Sequence, residues 1–384
     1  MDIIIVIILI LLLNSYLVKY FTSRYELRFK NYLWTLFTVH FMLTCTYIFY
    51  TLTSRSDSVS YFLRTSQTTD WQSLYMTGTK FVGFLAWPFI NKLGLSYFSM
   101  NILFSFFGYL GVVFFYLMAQ ENIKTKISFF GLSVVELVFL LPNLHFWTSS
   151  LGKGSAVFLG IGLFAFGLSR FNRRIIPLIL GSYLIFMIRP HILLAIVLAV
   201  IIGIFITSAG IKPIIKWLII IIAVTIFINI SDSVLKFTDV DSLDILSSST
   251  LSHRTGELGK SNSGVDIQNY NLFFKMFTFW FRPLFIDGLG ILGFIVSFEN
   301  AASLLVFFFT FRSLFKNWSE WNGFFRITLF IFLLASFILA QVSGNLGIAM
   351  RQKSQCMPFL YLLYCKAISI KDSFTQQRNP SKIG

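Results

Sequence analysis

Arg189-Pro190-His191 stands in the middle of the apolar stretch YLIFMIRPHILLAIVL. The planar guanidinium fork of arginine suits the paired oxygens of a phosphate and keeps its charge beside lipid. Two more arginines share this setting: Arg282, before Pro283 in FRPLFIDG, and Arg351 in GNLGIAMRQK. Proline restricts the residue before it and so helps to fix Arg189 and Arg282. With Lys153 and Lys353, the three arginines form a set suited to a diphosphate. Each arginine taken singly has the plainer reading of a headgroup anchor. An attacking hydroxyl would also need a base within hydrogen-bond reach. Asp57, His191, His253, Glu257 and Asp266 are the candidates, with an interfacial polar tip as the duller reading of His191.

Other polar positions carry less. LGKGS around Lys153 lacks the spacing of a nucleotide-binding P-loop, so Lys153 reads as a point charge for a phosphate or as a snorkelling side chain. Trp71, Trp87, Trp147 and Trp280 fit an interfacial aromatic belt. Glu136 and Glu299 fall inside or beside apolar runs, where a carboxylate needs a partner or neutralisation, and both read as structural partners for a buried arginine more readily than as catalysts. Cys45, Cys356 and Cys365 have no metal-ligand spacing and read as small core residues. No metal and no cofactor is expected.

The elements that position these residues must be membrane helices. Of 384 residues, 56% are hydrophobic and 12% charged, against about 25% charged in soluble domains. Strand-type alternation is absent, which excludes a transmembrane barrel. Apolar runs predict about eleven spans (10–12): 2–18, 32–51, 97–118, 126–142, 154–169, 175–188, 192–209, 214–230, 299–314, 325–342 and 355–370. The first is expected to be a retained span, since it lacks a basic leader and a small-residue cleavage site. The segments 79–95 and 273–298 are interrupted by Pro88, Arg282, Pro283 and Asp287, and read as interfacial or re-entrant. The whole of 1–384 is then one integral membrane domain, with 231–298 inserted between spans eight and nine.

Charge orients this array. Alternate connections hold Lys19 and Arg24, Lys124 and Lys126, Arg170, Arg173 and Arg174, Lys212 and Lys216, then Arg312 and Lys316, and the tail holds Lys371 and Arg378. The opposite connections are nearly neutral. The positive-inside rule places the N-terminus outside and the C-terminus in the cytoplasm. The net charge of +15 is therefore an orientation signal that needs no nucleic acid. The candidate site residues all fall on the outer face.

At these residues the chain resembles bacterial oligosaccharide repeat-unit (O-antigen, Wzy-type) polymerases. The resemblance rests on Asp57 with Tyr61, LPNLHFWTSSLGKGS, RPH, the run from FRPLFIDG to SFEN, and a late outer arginine. It implies an all-α, GT-C-like glycosyltransferase of the bacterial inner membrane. The implied substrate is a lipid-linked oligosaccharide on undecaprenyl diphosphate, with a flippase or chain-length regulator as partner. Two other readings stay open: a transporter or flippase of lipid-linked glycan, and a non-catalytic membrane subunit of an envelope assembly system. A transporter would carry internally repeated halves with matching broken spans, and no such repeat is visible in the chain.

Overall fold

In a computed structural model, the described residues run from 2 to 207 and from 270 to 378. Positions 26, 28–30, 54–55, 126, 130, 288–289 and 344–345 are excepted, and a few positions between 212 and 225 are added. Among them six helices are long and apolar enough to cross a membrane. They are α1 (Asp2–Arg24), α2 (Tyr32–Thr53), α5 (Tyr97–Asn122), α10 (Pro190–Thr207), α12 (Gly290–Lys316) and α13 (Gly323–Val342). The protein is a helical membrane protein. The expected span at 214–230 lies mostly outside the described residues.

The chain divides into two compact units. The first comprises Met1–Glu121 and Phe139–Leu193; the second comprises Asn122–Val138 and, among the described residues, 194–207 and 270–378. In the first unit α5 is the hub, with 78% of its apolar window buried, whereas α1 buries only 22%. The buried residues of α1 (Val6, Ile10, Asn14, Val18 and Phe21) recur every three or four positions and form one stripe. The opposite face leaves Ile4, Ile8, Leu9 and Leu12 at least half exposed, which suits lipid and not water. The short helices α3 (Asp57–Gln67) and α4 (Thr79–Trp87) pack together. Pro88 ends the second of these in a single wide turn, so 79–95 holds no membrane-length helix.

Two expected spans are short. α8 (Lys153–Ser169) has 17 residues and α9 (Ile175–Ile188) has 14, about 25 and 21 Å against a hydrocarbon core of roughly 30 Å. They form a tight antiparallel pair because glycine lets the backbones touch. A Cβ on Gly167 would lie 2.6 Å from the Leu178 nitrogen, and one on Gly181 would lie 2.5 Å from the Phe164 nitrogen. α8 meets α5 in the same way, with the Gly111 carbonyl 2.7 Å from a Cβ on Gly162.

The expected span 126–142 is not one continuous helix. In the second unit it starts as a hairpin, β1 (Ser128–Phe129) with β2 (Leu132–Ser133), turned at Gly131 (φ 80°). The five-residue helix α6 (Val134–Val138) follows directly, and α7 (Pro142–Phe146) of the first unit comes next. Ser133 and Glu136 form a capping box: the Ser133 amide donates to Glu136 Oε2 at 2.7 Å, and the Glu136 amide donates to Ser133 Oγ at 3.4 Å. Glu136 thus serves the helix start. Further along, α11 (Leu272–Phe281) is followed by a turn, and α12 begins at Gly290, ahead of the expected span start at 299. α14 (Leu346–Lys353) and α15 (Met357–Arg378) complete the second unit.

Candidate functional site

Arg189 is a one-residue break between two helices. It caps α9, donating its amide to the Ile185 carbonyl at 2.7 Å, and its own carbonyl accepts from Ile192 at 2.9 Å in the first turn of α10. Proline at the first helical position needs no amide partner and pre-sets the helical φ, while it bars Arg189 from helical geometry. The RPH motif therefore turns the chain without a loop. It holds Arg189 only 8% exposed.

Lys153 comes to the same place from another segment. It opens α8 after the loop 147–152, which is tied to α5 at several points. Leu151 donates its amide to Asn101 Oδ1 at 3.0 Å, and Ser155 donates its hydroxyl to the Ser150 carbonyl at 2.7 Å. The Thr148 carbonyl lies against Gly108, where a Cβ would be 2.1 Å away. Gly152 faces Tyr61 of α3, whose ring would lie 3.3 Å from a Cβ. Arg189 and Lys153 are the charges that act on the His191 imidazole, and His191 Nδ1 is buried with no hydrogen-bond partner. The first unit thus gathers Tyr61, Lys153, Arg189 and His191, with Asp57 exposed at the start of α3. Because the loop joins α5 between Asn101 and Gly108, this cluster sits about 6–16 Å along α5 from its first residue.

The two ends of this unit differ. Asp2, at the start of α1, accepts from the Ser96 amide at 2.8 Å and the Ser99 hydroxyl at 2.7 Å beside the start of α5. At the other end Glu121 pairs with Arg174 at 2.6 Å and with Arg170 at 3.5 Å. Arg174 also lies 3.7 Å from the centre of the Phe166 ring. The candidate cluster and the basic turn therefore lie toward opposite ends of this unit.

In the second unit, Arg282 is held by Asp287, its Nε donating to the two carboxylate oxygens at 3.0 and 3.2 Å. The Leu284 amide adds a bond to Asp287 at 2.6 Å. The bond from Arg282 outweighs burial and keeps the guanidinium above its ordinary range. Burial pushes the Asp287 carboxyl up, but the Arg282 and Leu284 bonds hold it below its ordinary value. Lys353 is buried, donating to Asn300 Oδ1 and to the Arg282 carbonyl at 3.3 Å, while Asn300 donates to the Pro283 carbonyl at 2.6 Å. Burial lowers the Lys353 ammonium to about 8, against the attraction of Glu299 and Cys356. Glu299 is thus one of the charges that act on this buried lysine. Arg351 is half-buried on α14. His253, Glu257 and Asp266 lie outside the described residues.

A buried histidine pair escaped the sequence reading. His40 of α2 and His145 of α7 meet Nδ1 to Nδ1 at 2.9 Å, and His145 Nε2 lies 2.7 Å from the Phe139 carbonyl. A carbonyl can only accept, so Nε2 of His145 carries the proton and its Nδ1 accepts from His40. Burial pushes the His145 imidazole down to about 4. A depressed pKa means that between pH 6.5 and 4 the unfolded chain binds more protons than the folded one, so stability falls as pH falls through that window. Thermal unfolding of the purified protein across pH 7 to 4 should show this loss. The slope should be smaller in His145→Gln, and an unchanged slope would remove the pair as its source.

No family model, curated protein or solved structure matches the chain.

Proposed function

We propose that this membrane protein is a glycosyltransferase that joins lipid-linked oligosaccharide repeat units on the outer face of the cytoplasmic membrane. The observation that carries the reading is that Lys153, at the start of α8, and Arg189, in the RPH motif, both act on the buried His191 of the first unit. The donor sugar leaves a lipid diphosphate, and negative charge gathers on that diphosphate as the glycosidic bond breaks. Two fixed cations beside it stabilise the transition state more than the ground state. The acceptor hydroxyl must lose a proton as it attacks. The unpartnered Nδ1 of His191 is an acceptor for it, and the exposed Asp57 carboxylate is the alternative base.

The decisive experiment is purified protein in liposomes with undecaprenyl diphosphate-linked repeat unit, read as a ladder of lengthened glycan. A ladder supports the polymerase. Movement of the lipid-linked unit across the bilayer without lengthening would make the chain a flippase. Orientation is tested separately: a reporter fused after Lys316 should read cytoplasmic, and one at Ser261 should read external. A cytoplasmic Ser261 would defeat the outer-face assignment.

A further inference from the structure

The second unit holds a cavity of about 800 Å³ whose lining includes none of the candidate residues above. Arg312, Ser313 and Lys316, from the last turns of α12, and Lys371, from the later part of α15, line it. The β1–β2 hairpin contributes Phe129 to its wall, and no acidic residue is among the lining. Asp372, next to Lys371, accepts from the Thr125 hydroxyl at 3.2 Å and does not line the space.

A cation in the last turn of a helix gains from the helix dipole, which accounts for Lys316 singly but not for Arg312 or Lys371. Their convergence on one space is different, because like charges facing one cavity repel unless an anion joins them. Ser313 Oγ, also in the lining, is buried and has no hydrogen-bond partner. A buried hydroxyl without a partner costs free energy that a ligand oxygen would recover. The remaining wall is apolar, including Phe309 and Tyr364. α12 is a membrane-length helix whose outward residues Phe308 and Phe315 are 64% and 86% exposed. Such a face is suited to lipid chains, and it belongs to the helix that supplies Arg312, Ser313 and Lys316. Its size falls in the range of about 300–1,000 Å³ that holds small ligands.

We propose that this cavity binds the phosphate headgroup of one anionic phospholipid, with Arg312, Lys316 and Lys371 around the phosphate and Ser313 donating to it. The apolar wall takes the first carbons of its chains, which is why the ligand is a lipid and not free phosphate. Basic pockets between membrane helices are the usual receptors for such headgroups. The site is independent of the glycosyl-transfer proposal.

The test is native mass spectrometry of the full-length protein in detergent, titrated with phosphatidylglycerol or phosphatidylcholine. One phosphatidylglycerol should be retained in preference to phosphatidylcholine. Lys316→Gln, at an exposed position, should weaken it about fivefold, and Arg312→Gln with Lys316→Gln and Lys371→Gln by about 100-fold. Ser313→Ala should weaken it without lowering the unfolding temperature of the lipid-free protein. Equal retention of the two lipids, or unchanged retention in both glutamine variants, would overturn the proposal. Displacement of the lipid by millimolar inorganic phosphate would also overturn it, in favour of a simple anion site.

Discussion

Arg189→Ala is expected to lower glycan lengthening by about 100- to 1,000-fold, the usual cost of losing one preorganised donor to a developing anion. Arg189→Lys keeps the charge and loses the planar fork, so its rate should fall about tenfold. Both are measured as single-turnover rates in liposomes at matched protein levels. Because Arg189 is only 8% exposed, each variant also needs its unfolding temperature. A rate loss in Arg189→Lys with unchanged stability identifies a group that acts on the substrate. Wild-type lengthening in Arg189→Ala would reduce RPH to a helix break.

Gly108→Ala should be the most damaging single methyl in the first unit. Its Cβ would lie 2.1 Å from the Thr148 carbonyl and 2.8 Å from the Thr148 Cβ. The nearest obstacle is backbone, so no rotamer relieves it. Overpacking of this kind costs about 1–3 kcal/mol and sometimes more, here paid by displacing the loop that carries Lys153. The expected result is a lower unfolding temperature and loss of lengthening together. Gly94→Ala is the control for the method: nothing lies within 4 Å of its Cβ, and only its positive φ (64°) opposes the change. A Gly108→Ala protein with wild-type stability and activity would show that the loop has freedom the packing denies.

Much of this was legible in the chain itself. The RPH break is local chemistry, since proline acts on its neighbour whatever surrounds it. The segregation of Arg170–Arg174 from Lys153 and Arg189 follows from charge along the chain. The failures have one physical origin: hydropathy reports compatibility with an apolar medium, and a protein interior is also such a medium. Residues 126–142 are apolar enough for a span, yet Gly131 turns them and S-V-V-E starts a new helix in their middle. That capping signal is readable but sits inside a hydrophobic run. His40 and His145 could not be paired from sequence, because their contact crosses 105 positions and neither flank carries a ligand-like spacing.

The α8–α9 pair bears on how the protein is made. An insertion machinery that tests emerging segments one at a time finds in α9 only 14 residues, fewer than the roughly 17–25 a stable span needs. The glycines that join it to α8 are useful only once α8 is present, and Gly162 of α8 in turn faces Gly111 of α5. The order of synthesis matches this dependence, each helix supplying the surface on which the next is retained. Lengthening α9 with leucines should free it from that dependence, whereas filling Gly181 should leave it stranded at the ribosome exit with no partner to receive it.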